Sequence, residues 1–195
     1  MIGVIIFPFA QDEQVSSIAE AEVPAISYLR EAGAQKIVLA AADRAFDRYN
    51  NGVCVSPPIQ GVTIFPTDFD TRNLPLLLWK VCEKFGNDDV CVIDASYQAP
   101  EGARIANHIR AYLRGTDAGK SVVFQTNRDL EYPVCRLNNP DEGGYWPLYC
   151  GVFSRASVRD ARNFIQQHQP MYSNIENIIF LQQIACRYVY EPVAR

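Results

Sequence analysis

The run Asp89-Val90-Cys91-Val92-Ile93-Asp94-Ala95-Ser96 is an apolar, β-branched stretch that stops on a carboxylate, just where Gln98, Pro100 and a helical pattern take over. In α/β proteins, ligands and metals sit where a buried parallel strand ends. Asp94 is therefore the first candidate, a hard oxygen donor placed to hold a divalent cation. The competing role is structural, the capping of a helix that begins near Glu101. Arg128 and Arg136 flank an expected strand, and a guanidinium there can grip a phosphate or carboxylate through two parallel hydrogen bonds. Tyr145, Trp146 and Tyr149 surround Gly143-Gly144, so this segment is either an aromatic lid for a sugar or base or a set of core residues beneath one. Glu176 lies in Ser173-Asn174-Ile175-Glu176, where a Ser or Asn cap and a first-turn acid suit the positive end of a helix.

Other patterns fall away. Gly115 to Ser121 has the look of a phosphate loop, but three residues separate its glycines where the motif needs four, and it precedes a strand. A turn between helix and strand accounts for it. The two histidines, His108 and His168, lie in polar helical contexts, which leaves no Ser-His-Asp or Cys-His arrangement. The six cysteines include no Cys-x-x-Cys pair and several sit in apolar patterns, so reduced core thiols in a cytosolic protein are expected, with a disulfide framework or zinc site as the lesser alternatives.

These residues need a scaffold, and 195 residues that are 48% hydrophobic suffice for one core and one domain spanning 1–195. A net charge of -4 with scattered Lys and Arg argues against nucleic acid and anionic membrane surfaces. No segment approaches the roughly 20 apolar residues of a membrane span, and Ile2 to Phe9, lacking a basic flank, reads as a first strand.

Strands are expected at Ile2 to Phe7, Lys36 to Ala41, Val62 to Phe65, the run ending in Asp94, Ser121 to Gln125, Tyr132 to Leu137, Leu148 to Ser154 and Arg187 to Glu191. Helical patterns end at Ala32 before Gly33 and cover Leu74 to Phe85, Gly102 to Arg114, Ser157 to His168 and Asn174 to Ala185. Such alternation predicts a three-layer α/β/α sandwich with a mainly parallel central sheet.

Three phrases in this order resemble the nucleotide-diphospho-sugar transferase superfamily, which includes sugar-phosphate nucleotidyltransferases and many glycosyltransferases. Glu22-Val23-Pro24 through Ala32-Gly33 to Leu39 looks like the proline-led helix that ends in Ala-Gly before the second strand. Asn73 to Lys80 followed by Asp88 to Asp94 looks like the helix and strand that deliver the metal-binding acid, and Tyr149 to Ser154 is similar to the strand that closes over the sugar. The resemblance covers nearly the whole chain. It implies a transferase using a nucleotide or nucleotide-sugar and a small-molecule acceptor, with Asp94 holding Mg²⁺ or Mn²⁺ to the diphosphate. By the same resemblance Pro8, Gln11 and Asp12 contact the nucleotide, while Arg136 and Glu176, the latter as catalytic base, face the second substrate.

Two departures stand beside it. The loop Pro8 to Gln14 has no Gly, Arg or Lys where nucleotidyltransferases carry all three, and its acids Asp12 and Glu13 would repel a triphosphate. Asp94-Ala95-Ser96 keeps only the first acid of the glycosyltransferase Asp-x-Asp, so metal affinity is expected to be weakened, or supported by an acid elsewhere such as Asp68 or Glu176. They motivate an alternative, a transferase fold without chemistry that serves as a binding or assembly module, with the apolar stretch Pro75 to Trp79 as a possible homo-oligomer contact.

Overall fold

The computed structural model describes residues 1–6, 24–42, 60–69, 71, 73–94, 107, 109–112, 114, 120–126, 150–168 and 173–191. Seven strands form one sheet: β1 (Ile2–Ile6), β2 (Lys36–Ala42), β3 (Val62–Thr67), β4 (Val90–Asp94), β5 (Val122–Thr126), β6 (Cys150–Phe153) and β7 (Arg187–Glu191). Their order is β3-β2-β1-β4-β6-β5-β7, and β6 alone runs against the others. Every residue of β1 is buried, as a central strand covered on both faces requires.

Among the described residues the flanking layers include α1 (Pro24–Ala32), α2 (Leu74–Phe85), α3 (Arg155–Gln167) and α4 (Ser173–Gln183). Strand alternation divides the core in two. Val4, Ile6, Val38, Val92 and Phe153 meet α2, α3 and α4 through Leu77, Leu78, Val81, Phe164 and Phe180. On the opposite face Ile5, Leu39, Ile93 and Val152 meet α1 and the helical residues at 109–112 through Ile26, Leu29 and Ile109. A Cβ on Gly3 would stand 2.7 Å from Leu29 Cδ1, so the missing side chain is what lets α1 lie close on β1. The result is the three-layer α/β/α sandwich expected.

Local chemistry sets the helix ends. Gly33, at φ 91°, takes the left-handed position after α1, with Gly33 N–H bonded to Arg30 O and Ala34 N–H to Leu29 O. Asn73 caps α2, its Oδ1 accepting from Leu76 N–H at 3.1 Å, and Gly86 closes the other end. Ser154, expected as the last residue of a strand, instead caps α3 by accepting from Ser157 N–H, so that helix starts at Arg155. The third strand is longer than expected, running through Pro66 to Thr67. As the outermost strand it tolerates a residue without an N–H donor.

Within Pro75 to Trp79, Pro75, Leu77 and Leu78 are buried with Leu74 in the core, while Leu76 and Trp79 stay partly exposed. Among the described residues no helix is long and apolar enough to cross a membrane.

The edge of the sheet where the parallel strands begin is tied off by polar contacts. Asp89 Oδ1 accepts from Arg155 N–H at 2.8 Å, and Asp88 pairs with the Met1 ammonium at 2.9 Å and with Arg155 Nη2 at 3.4 Å. Ser121, Ser154 and Ser157, all nearly inaccessible, bond one another and join β5 to the start of α3. Partial burial works against the Asp88 charge. Hydrogen bonds from the terminal ammonium, Asp89 N–H and Arg155 outweigh it, so the carboxyl is held below its ordinary 3.8.

A group depressed in this way contributes stability above its unfolded value and loses it as pH falls through the folded one. Asp88→Asn is therefore expected to lower stability at pH 7 by roughly 1–2 kcal/mol, a range set by bonds to a half-exposed charge. Denaturant titrations of both proteins should converge below pH 3.8; an equal gap at pH 7 and pH 3 would show that the charge contributes nothing.

Candidate functional site

From β1 the chain moves outward to β2 and β3, then returns to β4 on the other side of β1. The carboxyl ends of β1 and β4 therefore flank the point where the direction of winding reverses, which in open α/β sheets opens a crevice for ligands. Ile6 pairs with Asp94 across these two strands, each being the last residue of its strand. Asp94 thus ends its strand at the reversal point. Asp68, exposed just beyond β3, stands three strands away, about 14 Å at ~4.8 Å per strand, too far to share an ion with Asp94. Among the described residues no three His, Cys, Asp or Glu side chains converge on a metal position.

The carboxyl edge also gathers the chain ends that carry the other candidates. Pro8, Gln11 and Asp12 lie outside the described residues, in the segment that leaves β1 at Ile6 and re-enters at Pro24 of α1. Arg128, Arg136 and the aromatic residues of 143–149 lie outside them too, between Thr126 and Cys150. Because β6 is antiparallel, the end of β5 and the start of β6 are both on the carboxyl edge.

Glu176 is described in full and is held by its neighbours. It lies in the first turn of α4, is 5% exposed, and one carboxylate oxygen accepts a hydrogen bond from Asn73 Nδ2. The adjacent Asn177, with no exposure, accepts from Leu74 N–H at 2.8 Å through Oδ1. Two bonds therefore clamp the start of α4 to the start of α2, and the carboxylate lies near the positive ends of both helices. Glu176 is the first-turn acid expected, with a tertiary partner added, whereas Ser173 and Asn174 lie inside the helix and do not precede it as a cap. Asn73 and Asn177 went unnoticed as a pair in the sequence. Asn73 before Leu-Pro signals a helix cap, but nothing local to Asn177 points to a backbone group 103 positions away.

Cys91 and Cys150 are fully buried and in contact across β4 and β6, their Sγ atoms 3.9 Å apart. Burial pushes the Cys186 thiol up to about 12. Cys54 and Cys135 lie outside the described residues.

No protein-family model matches the chain, and no curated protein does. Solved structures do match in fold. A CMP:2-keto-3-deoxy-manno-octonic acid synthetase complexed with CTP superposes with a TM-score of 0.56 at 10% identity, over 98% of this chain and 89% of that one. The 4-diphosphocytidyl-2C-methyl-D-erythritol synthase of Anaerococcus prevotii gives 0.56 at 10% identity, over 97% and 86%. Rv0371c of Mycobacterium tuberculosis H37Rv, in complex with manganese, gives 0.51 at 10% identity, over 99% and 89%. At such identities the likeness establishes architecture alone. The chain has the nucleotide-diphospho-sugar transferase-type fold.

Proposed function

We propose that this protein is a metal-dependent transferase acting on a nucleotide or nucleotide-sugar and a small-molecule acceptor. The observation that carries the proposal is the position of Asp94, a carboxylate ending β4 against the end of β1, where the winding reverses. Its hard oxygens suit Mg²⁺ or Mn²⁺, which also take oxygens from a diphosphate. When bound, such an ion neutralises phosphate charge and stabilises the charge that develops on a leaving oxygen.

The chain's own residues bind and orient. Pro8, Gln11 and Asp12 follow β1 directly and would meet the nucleotide, with Arg136 clamping a phosphate or carboxylate of the second substrate. Support comes from the anchors of both segments on the carboxyl edge, and from a fold shared with proteins whose structures hold CTP or manganese. Glu176 enters as the base named by the resemblance. Its bond to Asn73 gives it a structural role as well, and substitution separates the two.

A non-catalytic binding module is the second reading. It is favoured by the absence of Gly, Arg and Lys from Pro8 to Gln14 and by the engaged state of Glu176.

Thermal unfolding with a panel of nucleoside triphosphates and nucleotide-sugars, with and without Mg²⁺ or Mn²⁺, distinguishes them. A ligand at ~100 times its dissociation constant adds about 2.7 kcal/mol of stability. One nucleotide family is expected to give a metal-dependent rise that Asp94→Asn abolishes. A rise unchanged in that variant would remove Asp94 as the metal holder, and no rise with any nucleotide would favour the module.

Glu176→Ala, which leaves Asn73 without its acceptor, is expected to cost about 1–3 kcal/mol. Glu176→Gln retains an acceptor oxygen and should cost under about 1 kcal/mol. If Glu176 is also the base, the Gln variant loses turnover at least ~100-fold while remaining folded; full turnover in Glu176→Gln would confine the residue to the clamp.

A further inference from the structure

Among the described residues, His168 at the end of α3 is held by both backbone and ring contacts. Its backbone N–H and its ring Nδ1 both engage Phe164 O, at 3.1 and 2.8 Å. The ring lies on the Phe164 ring with centroids 4.0 Å apart and planes 23° apart, and Phe164 is braced edge-on by Phe180 at 5.2 Å. Both phenylalanines are fully buried, whereas His168 is half-buried. A carbonyl oxygen can only accept, so Nδ1 carries the hydrogen. Nε2 is then either a lone pair or, in the imidazolium, a second N–H donor. A backbone carbonyl that orients one ring nitrogen so that the other can work is a common arrangement around functional histidines.

The topology brings this ring to the level of Asp94. The start of α3 is fixed beside the start of β4 by Asp89 and Asp88 through Arg155. Its 13 residues rise about 20 Å, and the 5 residues of β4 rise about 16 Å. The end of α3 therefore reaches the carboxyl edge, one layer or about 10 Å from the sheet. A diphosphate-linked ligand held at Asp94 can span that gap.

We infer that His168 is a binding residue of this edge, with Nε2 receiving a phosphate oxygen of the ligand. The inference rests on the proposed nucleotide function and adds a contact that the Asp94 experiments do not test. As imidazolium the ring donates Nε2–H to the phosphate oxygen while Nδ1–H stays on Phe164 O. As neutral imidazole it accepts from a protonated phosphate.

The test is NMR of the imidazole resonances of the full-length chain, titrated with inorganic pyrophosphate. With two histidines in the sequence, the spectrum of His168→Ala assigns the relevant signals. Saturable movement of the His168 signals is expected, with pyrophosphate binding at least about tenfold weaker in His168→Ala. His168→Gln, which keeps a polar nitrogen near the Nε2 position, should retain most of the affinity. Unmoved His168 signals, or equal affinity in a folded His168→Ala protein, would overturn the inference. Failure of wild type to bind pyrophosphate would overturn it too. If a nucleotide still raises the melting temperature in a metal-dependent way, only the His168 contact fails and the transferase proposal stands.

Discussion

The parallel register of β1 against β4 is the constraint on which the rest depends. Ile2 opposite Val90 and Ile6 opposite Asp94 place two five-residue strands flush at both ends. Both strands are covered by helices on each face, so a slip of one residue would turn Val90 and Val92 into the α1 layer and Cys91 and Ile93 into the α2 layer. That penalty fixes the height at which β4 ends. The same register puts the one polar residue of β4 at its carboxyl end, where the winding reverses, with the four apolar ones before it.

The two edges of the sheet have different tasks. At the amino edge Asp88, Asp89, Arg155 and the three serines satisfy one another and lock β4, β5 and α3 together. At the carboxyl edge the clamp between Asn73, Glu176, Leu74 and Asn177 fixes two helix starts, and β4 ends there on Asp94. A rigid base and a rigid helix pair are what a loop-built site requires if its groups are to be held in place.

Much of this was legible in the residues. Leu74 to Phe85 appeared at its full extent because an Asn-Leu-Pro start, dense apolar spacing and Gly86 agree. The strands ending in Ile6 and Asp94 showed as β-branched runs. Apolar spacing marked Leu74 to Phe85 as a core-facing helix, and Leu74, Leu77, Leu78 and Val81 form its buried face. Where expectation and structure differ, tertiary context decided. Pro66 suggested a strand end, but at an outer strand its missing N–H costs no ladder bond. Ser154 looked like strand until its hydroxyl found Ser157 N–H. Glu176 carried a local signal for the helix start, but its partner lies across the chain, and no pattern within α4 announces Asn73.

The central claim is that Asp94, set by the β1–β4 register, holds a divalent ion against a nucleotide's phosphates. The most direct measurement is anomalous diffraction from crystals grown with Mn²⁺ and the nucleotide that most raises the melting temperature. The account predicts a manganese peak at bonding distance from the Asp94 carboxylate, bridging to the phosphates between the ends of β1 and β4. Manganese held by other residues, or a nucleotide bound away from that crevice, would contradict it.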